Sequence, residues 1–156
     1  MKILVLGLGQ SLRGDDAAGL IAVQAWQKKY PHSAEQILVE TCELPGLALL
    51  DLLEGMEFAI LVDAVETTMP PGSILKVEPQ DLAAFTSDAQ SAHGWGIAES
   101  LNLARSLNLP QAGTKITLIA IAGGDFTIGA GLSQPVSLAL DTAVETIERE
   151  ICAAKR

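Results

Sequence analysis

Apolar residues fall along this chain in short unbroken runs that alternate with stretches of helical spacing. Ile3 to Leu6 form the first run, the pattern of a strand buried on both faces of a parallel sheet. Gly7 and Gly9 then permit a tight turn. Ala18, Ile21, Ala22 and Ala25 follow at the i, i+3, i+4, i+7 spacing of a helix face, and that helix ends near Tyr30-Pro31. The pattern predicts a second strand over Gln36 to Glu40, a loop from Thr41 to Gly46, and a short helix from Leu47 to Leu53 stopped by Gly55. Phe58 to Val62 are the third run, with Asp63 at its carboxyl end.

Pro70-Pro71-Gly72 marks a turn before a fourth strand, Ser73 to Val77. No helix fits between strands three and four, so the fourth is expected as an antiparallel edge. Pro79 to Ala92 form a polar loop that delivers His93 to the start of a helix, whose face carries Ile97, Leu101, Ala104 and Leu107. Thr114 to Ala120 are the fifth run, followed by a glycine-rich loop from Gly123 to about Leu132. Ser133 suits an N-cap with Pro135 in the first turn, and Val136, Leu140, Val144, Ile147 and Ile151 stripe a terminal helix.

Alternating strands and helices imply an α/β three-layer sandwich: a mostly parallel, twisted five-stranded sheet with an antiparallel edge strand and helices on both faces. Residues 1–156 are expected to form a single domain. Right-handed crossovers place strands two and three on opposite sides of strand one. The chain reverses direction there, and ligands in open α/β sheets sit beyond the carboxyl ends of the strands at such a switch point. Asp16 follows strand one and Asp63 ends strand three, so both are expected at one crevice.

Composition narrows the classes of function. The net charge of −9 argues against nucleic acid or an anionic membrane as partner, and is compatible with a basic peptide or a metal ion. With 49% hydrophobic and 19% charged residues, a globular interior is expected rather than disorder. Cys42 and Cys152 are too few and too far apart for a disulfide framework. No apolar run approaches the ~18 residues of a membrane span, and the start reads as a strand rather than a secretory signal. A cytoplasmic protein, monomeric or weakly oligomeric, is the expectation.

The chemistry concentrates on Asp16, Asp63 and His93. Two carboxylates and an imidazole suit a borderline divalent metal such as zinc or nickel. A pair of aspartates in one crevice also suits an acid–base dyad without metal. A dinucleotide-binding turn is the other reading of strand, glycine turn and helix, with Glu40 in the place of the ribose-binding acid. Leu12 stands where the third fingerprint glycine belongs, however, and Asp15 and Asp16 would repel a diphosphate. One of that acid pair suits a helix N-cap. Among the remaining candidates, His32 reads as solvated, Cys42 as a small buried residue or a soft ligand, and Asp125 as a turn terminator or a wall of the cleft.

Read together, these stretches resemble the maturation endopeptidases of NiFe hydrogenases. Gly7 to Gly19 resembles the pattern Gly-x-Gly-Asn-x-Leu-x-x-Asp-Asp-Gly-x-Gly, with Gln10 and Ala17 as departures that touch the backbone of the turn rather than a ligand. Leu44 to Gly55, Leu61 to Val65 and Pro71 to Ser73 are similar to the second block, Ser91 to Gly94 to the third, and Gly129 to Ser133 to the fourth. The resemblance implies a protease that trims the C-terminal extension of a NiFe hydrogenase large-subunit precursor after nickel insertion. It implies Asp16, Asp63 and His93 as metal contacts, Asp16 and Asp63 as catalytic, and nickel that belongs to the precursor itself. The loops Thr41 to Gly46 and Pro79 to Ala92 are then expected to touch the peptide. The rival class is a non-catalytic nickel chaperone or sensor with the same three ligands.

Overall fold

One sheet gathers the five apolar runs. The computed structural model describes residues 1–43, 46–78, 81 and 97–156. Its strands are β1 (Ile3–Leu8), β2 (Leu38–Cys42), β3 (Phe58–Val65), β4 (Ile74–Val77) and β5 (Lys115–Ala122). Its helices are α1 (Ala18–Lys29), the single turn α2 (Pro31–Ala34), α3 (Ala48–Leu53), α4 (Ile97–Ser106) and α5 (Gln134–Ala154). The strand order is β2-β1-β3-β5-β4, with β4 antiparallel to β5 and the other pairs parallel. The mixed sheet, its antiparallel edge and the switch between β2 and β3 across β1 all match the sequence expectation.

Alternation along the strands explains why their apolar runs are unbroken. Leu4, Leu6, Leu61 and Leu118 point to one face and pack under Leu49 and Leu53 of α3 and Leu101 of α4. Val5, Ile60, Val62 and Ile119 point to the other and meet Ala22 and Trp26 of α1 and Ile147 of α5. Both faces are covered, so a polar residue at either position would be buried. Val136, Val144, Ile147 and Ile151 of the expected α5 stripe are buried, and Leu140 packs against the same cluster.

Several boundaries differ from the sequence expectation, each for a local reason. β2 lies two residues later than expected, because α2 and a turn occupy 31–36 and the ladder pairs Leu4 with Leu38 through Leu8 with Cys42. β3 does not end at Val62: Asp63, Ala64 and Val65 continue the ladder against Ala120, Ile121 and Ala122. A charged side chain interrupts an apolar run without interrupting backbone pairing. Leu107 is off the α4 face and 59% exposed, because the helix ends at Ser106 and Asn108 reverses the chain in the left-handed region (φ 53°).

Candidate active site

The turn after β1 is shaped by glycines that let backbone approach backbone. Gly9 has φ +147°, and a Cβ on it would stand 1.9 Å from the carbonyl oxygen of Asp16. The chain therefore folds back on itself and winds into a 3-10 turn, Gly14–Ala17, that runs into α1. Gly19, in the first turn of α1, is the second close approach. A Cβ there would lie 2.3 Å from the carbonyl oxygen of Val62 and 2.4 Å from that of Leu8. Helix α1 thus begins directly against the carboxyl-terminal halves of β1 and β3.

This contact places the two candidate acids. Asp16 lies three residues before Gly19, in a 3-10 turn that packs against β3, and Asp63 follows Val62 in β3. Both stand at the carboxyl edge of adjacent parallel strands, where the topology puts its switch point. Asp16 is 0% exposed and Asp63 2% exposed. By alternation with Leu61 and Val65, Asp63 belongs to the sheet face that α3 and α4 cover. Buried carboxylates hold their charge best beside a cation, a shared proton or fixed donors. The donor set is hard oxygen, and His93, expected as the nitrogen ligand, lies outside the described residues. Among the described residues, no three His, Cys, Asp or Glu side chains gather as a metal site.

Asp15, the other acid of the pair, has a different environment. Its Oδ2 accepts hydrogen bonds from the N–H groups of Gly124 (2.8 Å) and Asp125 (2.9 Å) and from the Ser133 hydroxyl (2.8 Å). Its Oδ1 accepts from the Ser133 N–H at 2.7 Å. Burial pushes the Asp15 carboxyl up, but the donors of Gly124, Ser133 and Asp125 outweigh it and hold the group below the ordinary aspartate value. The expected helix cap is therefore corrected: Arg13 and Ala17, not the two acids, stand at the N-cap positions of the 3-10 turn and of α1, and Asp15 binds across the molecule to the start of α5. Ser133 does stand at the N-cap position of α5, but its hydroxyl is donated to Asp15.

The rim is tied to the same turn. Gly9 N–H donates to the Cys42 carbonyl at 3.3 Å, and Ser11 N–H donates to Glu43 Oε1 at 2.7 Å. That Ser11 bond draws the Glu43 carboxyl below its usual range. Thr41 and Cys42 of the expected rim loop belong instead to the end of β2, and Glu43 borders the turn that carries Asp16; Leu44 and Pro45 lie outside the described residues. Of Pro79 to Ala92, only Asp81 is described. Cys42 is half-buried against the α3 side of the core, and Cys42 and Cys152 are both free thiols. Asp125 ends a turn, its Oδ1 accepting from Thr127 N–H at 2.9 Å, and His32 is exposed. The dinucleotide reading loses its ground here, since buried acids occupy the turn where a diphosphate would sit.

An α/β domain with buried acids at its switch point is a frame for hydrolytic or metal chemistry, and comparison with known proteins makes the class specific. The hydrogenase maturation protease (HycI) family matches residues 27–150. The hydrogenase expression/formation protein HupD of Rhizobium leguminosarum is 30% identical over 151 residues, covering 95% of this chain and 73% of that one. The hydrogenase 2 maturation protease of Escherichia coli is 26% identical, covering 94% and 88%. Among solved structures, the NiFe hydrogenase maturation protease HybD of Thermococcus kodakarensis superposes with a TM-score of 0.81 at 25% identity, over 97% of this chain and 99% of that one. The hydrogenase maturating endopeptidase HybD of E. coli gives 0.76 at 25% identity, over 99% and 94%. This chain belongs to the hydrogenase maturation protease family, and it is an enzyme of the peptide-hydrolysing class.

Proposed function

We propose that this protein removes the C-terminal extension of a NiFe hydrogenase large-subunit precursor once nickel has been inserted. One observation carries the reading: Asp16 and Asp63 are each buried at the carboxyl ends of adjacent parallel strands, in a fold whose neighbours are named as maturation proteases. The precursor's own nickel is the cargo that Asp16, Asp63 and His93 would recognise. Three ligands leave a position open, so the metal stays with the substrate. A carboxylate at the crevice can serve as general base toward water, holding the proton while the peptide bond is attacked. The chain's charge of −9 suits a cationic or basic substrate segment. Free thiols at Cys42 and Cys152 fit a reducing, cytoplasmic setting. Among the described residues, no helix is long and apolar enough to cross a membrane.

The test is direct. Nickel-loaded and nickel-free precursor are incubated with the protein, and intact masses are recorded. The proposal expects a shortened product from the loaded precursor only, and loss of that product with His93→Ala. Loaded precursor that remains full length while nickel is bound would favour the chaperone or sensor reading instead.

A further inference from the structure

We propose that Asp15 is a positioning residue for the reaction: its carboxylate fastens the loop Gly123 to Ser133 over the Gly14–Ala17 turn and so fixes where Asp16 stands at the crevice. The inference rests on the protease reading of that crevice. Asp15 is fully buried, and its oxygens accept four hydrogen bonds, about the full acceptor capacity of a carboxylate. Nothing is left over for a reacting group, so Asp15 acts through its neighbour. The donors lie just past β5 and at the N-cap of α5, 109 to 118 residues away in sequence, so both ends of the loop meet on one side chain.

The backbone of the turn is stitched to the same loop. Asp15 N–H donates to the Asp125 carbonyl at 2.7 Å, Gly14 N–H to the Ala130 carbonyl at 3.2 Å, and Gly129 N–H to the Leu12 carbonyl at 2.8 Å. Gly14 has φ +57°, and a Cβ on it would stand 2.3 Å from the Asp125 carbonyl oxygen. Residues 12, 14 and 15 are thus each bonded to the loop, and Asp16 is the next residue along. Without the carboxylate, the three donors at Oδ2 and the one at Oδ1 face each other with no acceptor between them, and the turn must move.

Asp15→Asn tests this, because it keeps the shape but points an amide NH2 at N–H donors. The expected result is a fall in kcat for loaded precursor on the order of 100-fold, the effect of misplacing a reacting group by about 1 Å. KM stays within about threefold, since substrate contacts are intact. Amide exchange gives a readout independent of activity: Gly14, Gly124, Asp125 and Ser133 lose protection while β3 and β5 keep theirs. Wild-type kcat in Asp15→Asn, or a loss confined to KM, overturns the proposal. Should that variant fail to fold, Ser133→Ala removes one donor and keeps the Ser133 N–H. It is expected to lower kcat by about fivefold, the equivalent of one hydrogen bond, and an unchanged kcat there overturns the proposal equally. Wild-type protein that leaves precursor uncut sinks the protease reading instead. The exchange pattern of Asp15→Asn then decides the clasp alone, retained loop protection refuting it and lost protection upholding it.

Discussion

Gly19 shows how much a single hydrogen atom in place of a methyl group matters at this site. It sits where α1 meets the carbonyls of Leu8 and Val62, with less than 2.5 Å from an added Cβ to either oxygen. Gly19→Ala must push the helix off the sheet edge, at a cost of about 1–3 kcal/mol. Gly113→Ala is the control, because a Cβ there meets nothing within 4 Å and it should leave stability unchanged. Urea unfolding of the two variants checks the contrast. The same scale shows what sequence could reveal about the acids. Asp15 and Asp16 are adjacent and chemically identical, and only the loop returning from residues 124–133 separates their roles. The burial of Asp16 and Asp63 at the carboxyl ends of β1 and β3 could be expected, because the places of those strands in the sheet follow from connectivity. His93 had no such anchor, and the resemblance to a family supplied it.

Among the elements, α5 is fastened to α1 and α2 by its acidic face. Glu148 accepts from Trp26 Nε1–H at 2.9 Å and from the Ser33 hydroxyl at 2.8 Å, while Glu145 accepts from Lys29 and from the Tyr30 hydroxyl. Trp26 is fully buried, so Glu148→Ala leaves its N–H without an acceptor and is expected to destabilise by about 1–3 kcal/mol, read as a lowered melting midpoint. Glu145 works through charge. The bonds from Lys29 and Tyr30 draw its carboxyl below the ordinary glutamate value, against a smaller opposing effect of burial. Its contribution is therefore present above the unfolded value and is lost as pH falls through the folded one. Wild type should exceed Glu145→Gln in stability at neutral pH, and the difference should shrink in urea titrations as pH falls below the ordinary glutamate value. The α5 stripe was readable from periodicity, and the flanking of β1 by β2 and β3 and the antiparallel edge were readable from connectivity. The ends of β2, β3 and α4 were not, because ladder register, a buried acid within a strand and a left-handed asparagine leave no periodic trace.

For the whole molecule, the sheet serves as a rigid frame whose carboxyl edge carries both acids and the loops beside them. Ser11 binds Glu43 across the rim, so the loop that opens after β2 at Glu43 adjoins the turn carrying Asp16. Exchanging it for the loop of a related protease should change which precursor is cut while circular dichroism stays unchanged. Unaltered precursor choice would move specificity elsewhere on the rim.

In the proposed reaction Asp16 and Asp63 together perform the processing. The measurement that tests it most directly compares wild type, Asp16→Asn and Asp63→Asn on one nickel-loaded precursor, each by intact mass after equal times. A shortened product is expected from wild type and none from either variant, with all three showing the same circular dichroism. A folded variant that cuts at near wild-type rate would contradict it.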